Sequence, residues 1–204
     1  MMEQAPILTI TLNPALDVTT GTRQVVPDIK LRCEAPRFDP GGGGINVSRA
    51  IRAMGGDSTA LVALGGATGQ RIAELLAETG VPLMTLPAPG ETRQSLTVDD
   101  RTIRQQYRFV MPGPEWSADD VETALQAATG AAEPGALVVL SGSNPPGVPA
   151  RFAAMLAERL RGTGARLVVD TSGEALAEVA AATDRRVEIL RMDDEEAAGL
   201  AAHP

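Results

Sequence analysis

Six short apolar runs, at residues 7–12, 59–64, 82–86, 136–140, 166–170 and 187–190, limit this chain more than any other feature. Most are rich in Val, Ile or Leu and show no polar face, the pattern of strands buried on both sides in a parallel sheet. Between them lie stretches with helical spacing, at 46–54, 70–79, 117–129, 149–161, 174–181 and 193–201. Gly55-Gly56 and Gly80 follow the first two of these, as helix stops. Ser117 stands three residues before Asp120 in the third, resembling a capping box, and Pro149 opens the fourth, which ends at Gly162. Parallel strands need long crossovers, usually helical, so this alternation predicts an α/β domain with a mostly parallel central sheet. Residues 18–36 and 93–110 break the rhythm. They are polar and extended, alternate within 94–98 and 105–110, and read as strands of a separate small sheet.

At 204 residues the chain can bury one domain's core. Aromatic residues make up only 2%, so that core must come from Ala, Leu, Val, Ile and Met, and platforms for stacking bases are lacking. A formal net charge of −8 argues against a broad nucleic-acid surface but leaves room for a local anion site built by a few arginines. Lys30 is the only lysine. A single cysteine, Cys33, cannot close an internal disulfide and predicts a reducing, cytoplasmic setting. A single histidine, His203, excludes clustered His metal ligands. No apolar stretch approaches the roughly 20 residues that span a bilayer, and the N-terminus lacks a signal-peptide pattern. The expected partner is therefore a small molecule, with neither nucleic acid nor membrane involved.

In an open parallel sheet, ligands bind beyond the carboxyl ends of the strands. Polar, glycine-rich or acidic segments come after four of the predicted strands: Asn13-Pro14-Ala15-Leu16-Asp17, Ser141 through Gly147, Asp170-Thr171-Ser172-Gly173-Glu174, and Arg191 through Glu196. Each alone is ordinary turn chemistry. Four at one sheet edge favour a site. The strongest single feature is Pro40-Gly41-Gly42-Gly43-Gly44-Ile45-Asn46-Val47-Ser48. Glycines at a helix start let backbone approach a ligand, and the helix N-terminus offers free N–H groups. The run fits neither the dinucleotide fingerprint nor the P-loop, which also needs a Lys and a Ser or Thr, so an NAD-type oxidoreductase is a poor reading.

Together with Lys30-Leu31-Arg32-Cys33, Gly65 through Gly69, Thr92-Arg93-Gln94, Gln106 through Gly113 and 169–176, these stretches resemble the phosphofructokinase B family of ribokinase-like kinases. The matches run in family order along essentially the whole chain. The resemblance implies a three-layer α/β fold over 1–204, with lid segments at about 18–36 and 93–110 and a C-terminal portion missing. It implies ATP-dependent phosphorylation of fructose 6-phosphate, with ATP and Mg2+ as cofactors, and a homodimer formed through the lid sheets. Gly43 stands where 1-phosphofructokinases typically carry lysine, which points to the fructose-6-phosphate branch. Kinases for fructose 1-phosphate or tagatose 6-phosphate stay open as alternatives.

By the same resemblance, Asp17 would bind sugar hydroxyls, and Gly42, Gly43, Gly44, Asn46 and Ser143 would line the sugar site. Arg93 would hold the substrate phosphate, with Lys30 adding a second positive charge. Asp170 would stand near the metal. The family's Asn-x-x-Glu motif, which helps place magnesium and triphosphate, aligns with Asp193 through Glu196, so Asp193 replaces Asn, and Arg191-Met192 replaces the usual Lys-Pro. An acidic helix start favoured by the macrodipole is the competing reading of those acids. The family's Gly-Ala-Gly-Asp motif, which supplies the catalytic base and an anion hole, is absent from the sequence. In family order that aspartate base would lie beyond Pro204, so no catalytic residue is expected in this chain. The chain is expected to be an N-terminal fragment, inactive alone, and a non-catalytic sugar-phosphate-binding module is the second reading.

Overall fold

The computed structural model describes residues 4–182 and 187–202, which leaves His203 and Pro204 outside the described residues. The expectation that the base lies beyond Pro204 therefore falls outside them too. In chain order the elements are β1 (Ile7–Thr11), β2 (Ala15–Thr22), β3 (Arg37–Gly41), α1 (Gly43–Ala53), β4 (Thr59–Leu64), α2 (Gly66–Ala77), β5 (Leu83–Pro87), β6 (Arg93–Asp100), β7 (Gln105–Val110), α3 (Ala118–Ala131), β8 (Leu137–Ser141), α4 (Phe152–Arg159), β9 (Arg166–Asp170), α5 (Gly173–Ala181), β10 (Ile189–Arg191) and α6 (Asp194–Ala202). Six strands form the central sheet in the order β10-β9-β8-β1-β4-β5, and every pairing in it is parallel. The other four form a separate sheet, β3-β2-β6-β7, in which β2 and β6 run parallel and the outer pairs antiparallel.

The central sheet divides its side chains between two apolar clusters. On β4, Leu61 and Ala63 join Ile10, Val138, Leu125, Phe152 and Leu156 in one cluster, beneath α3 and α4. The alternate residues Ala60 and Val62 join Ile45 of α1 and Ile72 and Leu76 of α2 in the other. Period-two alternation thus feeds two helical layers with one strand between them, which makes three layers. Each fully buried Leu, Ile or Phe here contributes about 1.5–3 kcal/mol relative to exposure. One polar knot crosses this core. The Ser48 hydroxyl lies 2.8 Å from that of Thr9 and accepts from Ser58 at 2.9 Å, all three buried. A buried hydroxyl needs partners, and this trio ties α1 to β1 and to the segment leading into β4.

Several boundaries differ from the sequence expectation. Glycine is a poor helix former, but tertiary packing overrides that weak prior at two helix starts. Helices α1 and α2 begin at Gly43 and Gly66, within glycine-rich stretches. Pro40 and Gly41 belong to β3, so the glycine run begins in the small sheet and only then enters α1. Helix α4 starts later than predicted, because Pro149 forms a tight turn in which its carbonyl accepts from Phe152 N–H at 2.9 Å. The small sheet likewise departs from the expected spans, since β2 starts at Ala15 and most of 23–36 is irregular. The capping box at α3 is present, with Ser117 and Asp120 exchanging hydrogen bonds.

That irregular segment is held by a buried carboxylate. Asp100 is 2% exposed and accepts from the N–H groups of Val25 (2.8 Å), Thr102 (2.9 Å) and Ile103 (3.1 Å). The Val25 bond, then those of Ile103 and Thr102, hold its pKa below the ordinary aspartate value against the opposing effect of burial. A carboxylate depressed in the folded state stabilises the fold above its unfolded pKa, near about 4, and that contribution is lost as pH falls through the folded value. Asp100→Asn should therefore lower the melting temperature at pH 7 and flatten its fall in acid. Superimposable melting profiles from pH 7 to pH 3 would refute this role.

Candidate functional site

The site begins where α1 descends onto the ends of β1 and β8. Gly42 caps α1 at φ 139°, a conformation that side chains rarely adopt, and a Cβ there would meet Thr11 Cγ2 at 2.6 Å. A Cβ on Gly43 would run into Ser141 Oγ and the Gly142 nitrogen. One on Gly44 would lie 2.6 Å from Thr11 Oγ1 and 2.7 Å from the Ile10 carbonyl oxygen. The glycines are therefore required by backbone approach within the protein itself. The helix start they form presents N–H groups, of which Ile45 N–H donates to Thr11 Oγ1 at 3.1 Å. Asn46 comes next in the first turn, exposed, with no side-chain hydrogen bond among the described residues.

Strand pairing aligns the charged face of the small sheet. Asp17 lies opposite Asp39 on β3 and Ser95 on β6, Arg93 lies opposite Ala15, and Arg108 lies opposite Thr97, so all point to the same face. The carboxylate of Asp17 fills the space where a Gly41 side chain would go, which joins it to the glycine run. Burial pushes the Asp17 carboxyl above the ordinary aspartate value. Arg93 and Arg108 pull it down, and Asp39 adds to the rise. Arg93 is half-buried, and its desolvation lowers its pKa against the opposing pull of Asp17. Its Nη1 donates to the Met111 carbonyl and its Nη2 to the Asn13 carbonyl, each at 3.2 Å, while the buried Nε–H has no partner.

Asn13 links this face to the loop after β8, because its Nδ2 donates to Ser143 Oγ at 3.2 Å. Beside that bond opens a cavity of about 470 Å3 lined by Asn13, Gly113, Ser143, Pro145, Ser172 and Glu174 among others. Ser143, Asn13, Arg93, Asp17 and Gly41 thus form a continuous chain of neighbours at the carboxyl edge of the sheet.

Lys30 is placed elsewhere. It is exposed, and the nearby Arg32 carbonyl accepts from Thr22 Oγ1 at 3.3 Å, at the end of β2 remote from Asp17. Five residues of strand separate Thr22 from Asp17, about 16 Å. Within one chain, Lys30 does not join the group around Arg93.

The acidic residues expected to serve nucleotide and metal have other partners. Asp170 accepts from Ser141 Oγ at 2.8 Å and from Arg191 Nη1 at 3.0 Å. Asp193 and Glu196 exchange backbone N–H bonds of 2.9 Å each, the reciprocal pattern of a capping box at the start of α6. Among the described residues, no three His, Cys, Asp or Glu side chains gather where they could hold a cation. The donor set thus does not fit a metal held by protein side chains alone.

Three participants escape a reading of the sequence. Asn13 opens the polar segment that follows β1, yet its own bridging role depends on Ser143, 130 residues away. Arg108 lies in the Gln106–Gly113 stretch that carries part of the resemblance, but its facing toward Asp17 comes only from the β6–β7 register. Arg191 stands where the family usually has lysine, and its pairing with Asp170 comes from the β9–β10 register.

The pfkB family carbohydrate kinase pattern matches residues 2–204. ATP-dependent 6-phosphofructokinase isozyme 2 of Mycobacterium tuberculosis is 48% identical over 170 residues, covering 83% of this chain and 50% of that protein. The protein of the same description from Escherichia coli is 44% identical over 194 residues, covering 95% of this chain and 62% of that one. The crystal structure of phosphofructokinase-2 from Escherichia coli in complex with fructose-6-phosphate superposes with a TM-score of 0.89 at 42% identity, over 98% of this chain and 65% of that one. The chain therefore spans between half and two thirds of the length of these relatives.

Proposed function

Because the chain belongs to the pfkB family of carbohydrate kinases, we propose that it forms the sugar-phosphate-binding part of an ATP-dependent 6-phosphofructokinase. The observation that carries this reading is the convergence of Arg93, Asp17, Asn13 and Ser143 on the glycine-built start of α1. In this reading Asp17 accepts hydrogen bonds from sugar hydroxyls. Asn46 and the N–H groups of Gly42 to Gly44 hold the ring from the opposite side, and Ser143 lines the site. Arg93 offers a planar fork to the 6-phosphate. The reaction breaks the bond between the γ-phosphorus of ATP and its bridging oxygen. It forms a new P–O bond to the C1 hydroxyl, whose proton goes to a base, giving fructose 1,6-bisphosphate and ADP. We assign no base to these residues. ATP rests on family membership, and Mg2+ would be held by the nucleotide's phosphate oxygens together with Asp170 or Glu196, whose carboxylates in the chain alone accept from Arg191 and from the Asp193 N–H.

Isothermal calorimetry with fructose 6-phosphate, fructose and fructose 1-phosphate tests this reading. Fructose 6-phosphate should bind with clear preference over both others. Equal affinity for fructose and its 6-phosphate would remove the phosphate site, and preference for fructose 1-phosphate would move the chain to the other branch.

The small sheet would act as a lid over this site and pair with a second copy. Its opposite face carries an apolar row across all four strands, Phe38–Val18–Leu96–Phe109 in register, flanked by Tyr107, with Phe38 40% and Phe109 51% exposed. An exposed apolar row of this kind marks an interaction surface. Lys30, which within one chain stands apart from the site, would serve it only from the other copy of such a homodimer. Phe109→Asp should convert the dimer to monomer in sedimentation. Lys30→Ala should leave the dimer intact and weaken fructose 6-phosphate binding by several-fold; unchanged binding would exclude Lys30 from the site.

A further inference from the structure

The chain crosses between the central sheet and the lid four times: after β1, after β3, before β6 and after β7. Arg93 stands on the third crossing, as the first residue of β6. Its two terminal nitrogens reach the first crossing at the Asn13 carbonyl and the fourth at the Met111 carbonyl. One side chain therefore ties three of the four hinges together. The surroundings are close-packed: a Cβ on Gly113 would collide with Asn13 Oδ1, so the fourth crossing lies directly against the first.

Both hinge acceptors are neutral carbonyls, and the buried Nε–H lacks a partner. Both hinge bonds already have the charged guanidinium as donor, but a phosphate adds charge on the acceptor and offers oxygens that the two terminal nitrogens take as a bidentate pair. The hinge carbonyls and a phosphate therefore compete for one fork. We propose that Arg93 is a latch for the lid: it fastens the Asn13 and Met111 hinges, and a bound sugar phosphate draws it from at least one of them, so that phosphate binding releases the lid to move. This rests on the sugar-phosphate reading of the site and adds a coupling between that site and the lid. The coupling is reciprocal, so fastening the hinges opposes phosphate binding to the same degree.

Amide hydrogen exchange on the whole chain reads the latch directly. Peptides covering residues 11–16 and 110–116 would be followed in the protein alone and with fructose, inorganic phosphate and fructose 6-phosphate. The hinge peptides should exchange about tenfold faster with either phosphate and be unmoved by fructose. In Arg93→Ala and Arg93→Lys the hinges should exchange fast from the start and not respond to phosphate, because neither residue can bridge two carbonyls with a planar fork. The wild-type titration needs no variant and stands even if a substitution unfolds the protein. Fructose 6-phosphate binding seen by calorimetry with hinge exchange unchanged or slowed would overturn the latch alone. Absence of that binding would overturn the reading of the site, and the competition with it.

Discussion

Replacing Arg93 with alanine should weaken fructose 6-phosphate binding by about 2–3 kcal/mol, or roughly 30- to 150-fold, the range for losing hydrogen bonds to a charged group. The loss should fall on the phosphate, so fructose itself should bind nearly as it does to the wild type. Arg93→Lys should lie between the two, about tenfold weaker than wild type, because an ammonium keeps the charge but not the two-pronged geometry. Release of the hinge carbonyls partly offsets the loss, since the alanine variant no longer has to unfasten Asn13 and Met111. Calorimetry with the two ligands separates these contributions. If fructose 6-phosphate affinity is the same in wild type and Arg93→Ala, Arg93 does not bind the phosphate, and its place at the hinge is purely structural.

The glycine run should show an equally clear effect, on stability. Gly44→Ala places a methyl group 2.6 Å from Thr11 Oγ1 and 2.7 Å from the Ile10 carbonyl oxygen, where neither strand backbone nor buried threonine can yield without disturbing the start of α1. Overpacking of this kind costs about 1–3 kcal/mol, or roughly 2–4 °C of melting temperature per kcal/mol in a chain of this size. Gly130 is the control. It lies inside α3, without positive φ, and a Cβ there meets nothing within 4 Å. Gly130→Ala should stabilise the protein by about 0.5–1 kcal/mol, because glycine in a helix carries an entropic penalty relative to alanine. Thermal melts of the two variants should move in opposite directions. A neutral Gly44→Ala would mean that α1 can retreat from β1, and that the glycines answer to the ligand alone.

The alternation of strands and helices, and with it the parallel sheet, is legible in the order of the amino acids. Buried strands such as Thr59–Leu64 and Arg166–Asp170 announce themselves as apolar runs of strand length, and helices such as α3 carry their own cap. The amino-acid order also located the edge at which polar loops collect, since chain order fixes which loop leaves the end of each strand. It could not determine which residues meet across that edge. That Asp17, Asp39, Arg93 and Arg108 share one face depends on the register of four strands, two of them far apart in the chain. A shift of one residue would send each to the other side. That Lys30 sits at the far end of β2, and that Asp170 is held by Arg191, is likewise a matter of register. The glycine run shows the division most clearly. Its composition marks a place of close approach, but it takes the folded chain to bring β1, β8 and the Asp17 carboxylate into the space those missing side chains leave.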